Sequence, residues 1–164
     1  MQERLLPAMK DEQVITQRAM VMLQCANAMD IPVLVTEQYP NGLGSTVEPI
    51  RSLTNHAQYF EKTKFAAPEP VTRAAKDMGR TQLLVLGVEA HVCVQQTALE
   101  CLAAGFDVGI LTDACSSRRA ADKDPGIRRM VQAGAQEMTV ESAIFEIVGD
   151  ASHQTFRKIR GFIK

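Results

Sequence analysis

The sequence has no excess of either charge, no long apolar run and no cofactor motif, and each absence removes a class of function. Lys and Arg total 18 against 19 Asp and Glu, a net charge of −1 over 164 residues. Nothing in that balance supplies the basic excess that neutralises phosphates, so no nucleic-acid partner is expected. No apolar stretch reaches the roughly 18–20 residues of a membrane span, so no membrane partner is expected either. Met1-Gln2-Glu3-Arg4 lacks the apolar core of a signal peptide, which points to a cytoplasmic location. Disorder is excluded by composition, because 46% of the residues are hydrophobic and net charge is near zero.

Metal and disulfide chemistry are also poorly supplied. The four cysteines, Cys25, Cys93, Cys101 and Cys115, form no C-x-x-C pair, and the three histidines at 56, 91 and 153 offer no zinc spacing. There is no G-x-G-x-x-G and no phosphate-binding Gly-Lys loop. The expectation is four reduced thiols, no metal and no cofactor.

What the sequence does contain is an alternation of strand-like and helix-like segments in one domain spanning 1–164. Apolar residues at Ile15, Ala19, Met22, Leu23, Ala26 and Met29 fall at helical spacing over 11–29. Strands are predicted at 32–36, 58–60, 83–88, 108–112 and 138–140. Further helices are predicted from Pro70 to about 78, at 93–104, 125–133, 142–148 and 152–163, with Gly105 and Gly134 as stops. The pattern implies an α/β fold: a three-layer α/β/α sandwich around a mainly parallel, Rossmann-like sheet. Sites in such sheets lie beyond the carboxyl ends of strands.

The segment after the 83–88 strand reads G-V-E-A-H-V-C-V-Q-Q-T over 87–97 and sets Cys93 in the first turn of a helix. Free amides and the helix dipole there favour a thiolate and could hold an oxyanion. The alternative is that Cys93 is a small buried hydrophobe. Cys25 and Cys101 read as core, and Cys115, in D-A-C-S-S-R, is the rival nucleophile. His91 and Lys62 are the possible partners of a thiolate, with solvated side chains as the alternative for each. The basic groups Arg118, Arg119, Lys123, Arg128, Arg129 and Arg157, Lys158, Arg160, Lys164 read as solvated helix faces.

These motifs, taken in order, resemble the isochorismatase-like cysteine hydrolases, and most closely the subgroup of isochorismatase-domain-containing proteins. The likeness covers M-Q-E-R at 1–4, T-E-Q-Y-P-N-G-L-G-S-T at 36–46, E-K-T-K-F at 61–65, the 87–97 segment, D-A-C-S-S-R at 113–118 and V-G-D-A-S-H at 148–153. The resemblance implies a six-stranded parallel sheet and a catalytic Asp, Lys and Cys. Cys93 would be the nucleophile and Lys62 its lysine, leaving Cys115 in a loop that carries no catalytic thiol. A cis peptide between Val88 and Glu89 would aim the backbone amides of Glu89 and Cys93 at one oxyanion. Gln38, Phe65, Glu89 and His91 are the substrate-binding candidates that follow, and the family's metal ligands are not apparent.

The family's first, central strand ends in the catalytic Asp just ahead of the residues matched by Met1-Gln2-Glu3. That strand and its Asp therefore have no counterpart in the sequence, and the domain is expected to be N-terminally incomplete. The resulting expectation is a cysteine-dependent hydrolase of a small amide, ester or vinyl-ether-like substrate, working as a homo-oligomer. The alternative is a catalytically silent binding or assembly module that keeps the fold without the acid. Ala66 and Ala90 stand where relatives often carry Ser and Thr.

Overall fold

A computed structural model describes residues 1–163; Lys164, counted with the C-terminal basic group, lies outside the described residues. After a single 3-10 turn at Leu6–Ala8, α1 runs from Glu12 to Ala28, close to the predicted 11–29. Its buried stripe, Ile15, Ala19, Met22, Leu23 and Ala26, is the one the spacing selects. The chain then turns through Asp30, at a φ of 53°, into β1, Leu34–Gln38.

Two one-turn helices, α2 (Pro40–Leu43) and α3 (Glu48–Arg51), precede β2 (Gln58–Lys62). Helix α4 spans Pro68–Asp77 and β3 spans Gln82–Val88. A π-helical turn, Ala90–Val94, leads into α5, Gln95–Ala103. The remaining elements are β4 (Asp107–Ser116), α6 (Ala120–Gln132), β5 (Gln136–Met138), α7 (Val140–Val148) and α8 (Phe156–Ile163).

Most boundaries shift by a few residues from the sequence expectation, and three of the shifts have a visible cause. Helix α4 opens at Pro68 rather than Pro70, because Pro68 takes the first-turn place where a missing N–H is harmless. Helix α6 opens at Ala120, so Pro125 sits inside it instead of starting it. Strand β4 runs through Ser116 despite Gly109, whose bare Cα makes room for its neighbours. A Cβ there would stand 2.8 Å from Leu84 Cδ2 and 2.9 Å from Met138 Sδ.

All strand pairs are parallel, but the strands form two sheets: β1–β2, and β3–β4–β5. Among the described residues β1 pairs only with β2, and β3 only with β4, so each keeps one edge without a strand partner. Such an edge leaves main-chain donors and acceptors unmatched. It also explains why Leu83, Val85 and Leu86 of β3 are only half-buried and Leu84 is 39% exposed, where a covered parallel strand would be dry.

Helices cover both faces of the larger sheet. On one side α4, α5 and α6 pack Ala75, Ala98, Cys101, Ile127 and Met130 against Val108 and Ile110. On the other, α1, α7 and α8 pack Met22, Cys25, Ala143, Ile144 and Ile159 against Leu111 and Ala114. The fully buried neighbours Ile110 and Leu111 thus serve opposite faces of one strand, the α/β/α sandwich that the alternation implied. No helix among the described residues is long and apolar enough to cross a membrane.

Candidate active site

The carboxyl ends of β1, β2 and β3 deliver Gln38, Lys62 and the Glu89–Cys93 segment to one place. Gln38 is the last residue of β1 and pairs in register with Lys62, the last of β2. Lys62 Nζ donates to Gln38 Oε1 at 2.7 Å, to the Phe65 carbonyl at 2.6 Å and to the Lys64 carbonyl at 3.1 Å. Cys93 Sγ lies 4.0 Å from the same Gln38 oxygen. Burial lowers the Lys62 pKa, while the charge and hydrogen bonding of Cys93 act to raise it. Lys62 is therefore a half-buried cation turned toward the Cys93 sulfur.

Gln38 is itself fixed. Its Nε2 donates to the Thr63 carbonyl at 2.7 Å, and its main-chain N–H donates to Gln2 Oε1 at 2.7 Å. Gln2, buried to 2% exposure, returns its own Nε2 to the carbonyls of Gln38 at 2.9 Å and Gly44 at 2.7 Å. The neighbouring Glu37 is buried and accepts from Thr46 N at 2.6 Å and Thr46 Oγ1 at 2.7 Å. The Met1 nitrogen is buried in the same region and is coupled by charge to Glu37, Cys93 and Lys62; desolvation lowers it to about 6.

Cys93 lies in the π-helical turn that precedes α5, a form of backbone that recurs at functional sites. The Val88–Glu89 peptide is cis, as expected. The Glu89 carbonyl accepts from Val92 N and Val94 N, both at 3.2 Å, and so closes the turn. The carboxylate of Glu89, 8% exposed, accepts from Arg118 Nε at 2.9 Å and from Arg118 N at 3.4 Å. His91 Nδ1 lies 2.9 Å from Ser117 Oγ.

The structure therefore brings Cys93, Lys62 and Gln38 together, with Phe65 contributing its main-chain carbonyl while its ring is 54% exposed. Glu89 and His91 stand on the same turn, but their side chains engage Arg118 and Ser117. Arg118, read from the sequence as a solvated charge, is exposed, and its Nε also pairs with the buried Glu89 carboxylate, which the sequence did not signal. Gln2 and Thr46 were also missed, since a lone Gln or Thr carries no chemical signature.

The rival thiol is inert. Cys115 is fully buried, and burial pushes its pKa up to about 12. Cys25 and Cys101 are likewise buried and raised to about 11. Among the four, only Cys93 is not buried. Among the described residues no cluster of His, Cys, Asp and Glu could hold a metal ion.

Comparison with known proteins shows the family. Isochorismatase domain-containing protein 1 of Salmo salar is 42% identical over 166 residues, covering 100% of this chain and 58% of that protein. The chain thus spans little more than half the length of that relative. The solved structure of MAR1 ribonuclease from Caenorhabditis elegans superposes with a TM-score of 0.94 at 34% identity, covering 99% of this chain and 84% of that one. YcaC from Pseudomonas aeruginosa, solved with hexane-2,5-diol and covalent acrylamide, superposes at 0.89 with 27% identity, covering 98% and 84%. The model of the Isochorismatase domain matches residues 1–142, a span that holds β1 to β5 and every residue of the site. The chain belongs to the isochorismatase family.

Proposed function

We propose that the chain is a cysteine-dependent hydrolase whose Cys93 thiolate attacks the electrophilic carbon of a small amide, ester or vinyl-ether-like substrate. The observation that carries this reading is the convergence of Cys93, Lys62 and Gln38 beyond the carboxyl ends of β1, β2 and β3. A thiolate is the working form of the nucleophile, and a desolvated cation beside it favours that form. Lys62, held by three oxygen acceptors, is fixed where it stabilises negative charge on the sulfur and then on the developing oxyanion. The main-chain amides of Glu89 and Cys93 are the proposed donors to that oxyanion. With an amide or ester, collapse of the adduct expels the amine or alcohol, which takes up the proton given by the thiol, and leaves a thioester on Cys93 that water hydrolyses to the free acid and thiol.

Forming the thiolate needs a proton acceptor, and among the described residues no carboxylate hydrogen-bonds to Cys93. We place that acceptor beside the Met1 nitrogen, which is coupled by charge to Cys93 and Lys62. A carboxylate on an extended segment leading into Met1 would stand there. A chain extended at its amino end by an apolar strand closing in Asp is therefore expected to turn over faster than the 164-residue chain, and the Asp→Asn version to lose that gain.

The name of the Caenorhabditis elegans neighbour raises phosphodiester cleavage as a competing chemistry. The net charge of −1 gives RNA no electrostatic footprint on this chain. A panel of small amides and esters, together with a single-stranded RNA oligonucleotide, should be assayed with the protein and with Cys93→Ala. Amide or ester turnover that disappears in Cys93→Ala supports the reading. RNA cleavage without amide turnover, or rates unchanged by the substitution, would overturn it.

A further inference from the structure

We propose that Gly126, on a helix remote in sequence from the site, is a positioning residue for Cys93; the inference rests on Cys93 being the nucleophile. Pro125 and Gly126 stand side by side inside α6, although they are the two residues least suited to a helix interior. Gly126 does not use the left-handed conformation open to glycine. What it uses is the absence of a side chain. A Cβ at 126 would lie 2.8 Å from His91 Cα, 3.0 Å from His91 Cβ and 3.2 Å from His91 N. These are main-chain and root atoms, which cannot swing aside as the end of a long side chain can.

His91 is two residues ahead of Cys93 in the turn Ala90–Val94. The connection between β4 and α6 holds that turn from the same side, through Ser117 Oγ on His91 Nδ1 at 2.9 Å and Arg118 Nε on Glu89 Oε1 at 2.9 Å. Three contacts therefore seat the nucleophile's turn on one β4–α6 unit. The hydrogen bonds set its orientation, and the bare face at Gly126 sets how closely it approaches α6. Any side chain at 126 lifts the turn and moves Cys93 away from Lys62 and Gln38.

Gly161 supplies an internal control: it also sits inside a helix without a positive φ, and none of the described residues comes within 4 Å of the place its Cβ would take. The test measures Cys93 alkylation by iodoacetamide, read by intact mass from pH 6 to 9, in the full chain and in Gly126→Ala, Gly161→Ala and Ser117→Ala. Gly161→Ala should melt higher and alkylate at the wild-type rate. Gly126→Ala should lose that gain in melting temperature and alkylate on the order of tenfold more slowly, with a displaced pH profile. Ser117→Ala should shift the pH profile without unfolding.

A Gly126→Ala protein that melts higher and alkylates with the wild-type rate and profile overturns the proposal. If Gly126→Ala does not fold, Ser117→Ala decides, and a wild-type rate and profile there overturns it equally. Alkylation needs no substrate, so a chain that alkylates as expected but hydrolyses nothing refutes the hydrolase reading while leaving the positioning role intact.

Discussion

Lys62 Nζ and Cys93 Sγ meet at a single oxygen, Gln38 Oε1, which is 2.7 Å from the ammonium and 4.0 Å from the sulfur. A neutral carboxamide thus does two jobs: it holds a desolvated cation in place and offers the thiol an acceptor. Removing it should leave Lys62 mobile beside the sulfur. A hydrogen bond to a charged group contributes about 1.5–3 kcal/mol, so Gln38→Leu should lower kcat/KM by roughly 10- to 100-fold. Gln38→Glu keeps the acceptor and should retain more activity than Gln38→Leu. Steady-state kinetics on one cleaved amide compares them.

Lys62 itself should matter more to chemistry than to folding. Lys62→Met removes the cation facing the thiolate, and kcat should fall by about 10²- to 10³-fold. The folded state prefers the neutral amine, because burial lowers its pKa from an ordinary 10.5. The cost of carrying the charge is therefore present at neutral pH and is relieved as pH rises through the lowered value toward 10.5. Urea denaturation of both proteins from pH 7 to 10.5 should show wild type gaining stability relative to Lys62→Met across that window.

The thiols give an independent check on burial. With Cys25 and Cys101 at about 11 and Cys115 at about 12, iodoacetamide at pH 7.5 should label one cysteine per native chain, and peptide mapping should place it at Cys93. The same shifts predict alkaline sensitivity. Each buried thiol has a folded value above the ordinary 9.0, so stability is full below about pH 9 and is lost as pH rises through 11–12. Denaturation midpoints should decline over that range, and less steeply in Cys115→Ala.

Helix α7 carries a reciprocal cap. Thr139 Oγ1 accepts from Ser142 N at 3.1 Å, and Ser142 Oγ accepts from Thr139 N at 2.9 Å. Thr139→Ala should cost about 1 kcal/mol of stability with no change in alkylation rate at Cys93, and Thr139→Gly only a few tenths. Chemical denaturation reads the difference.

The sheet and its helices were legible wherever one residue type dominated a short stretch. L-L-V-L-G-V gave β3, and the apolar stripe from Ile15 to Ala26 gave α1. Boundaries slipped where the signal was a single proline: Pro68 and Pro70 compete for the same first-turn place, and Pro125 sits inside a helix that packing holds together. The split into two sheets was not legible, because pairing depends on contacts between strands distant in sequence. Cys93 was a candidate from its place after β3 and Lys62 was set beside it by the family resemblance; the structure brings the two to one oxygen. Gln2, Ser117, Arg118 and Gly126 were not legible, since their roles arise from contacts between elements distant in sequence.

The covalent step is the part of the account most open to direct measurement. The protein is mixed with a cleaved amide, quenched in acid within the first turnover and weighed intact, alongside Cys93→Ala. A transient mass gain equal to the acyl group, mapping to Cys93 and absent from the variant, is the expected result. Turnover with no adduct at any quench time, or an adduct that persists in Cys93→Ala, would contradict the account.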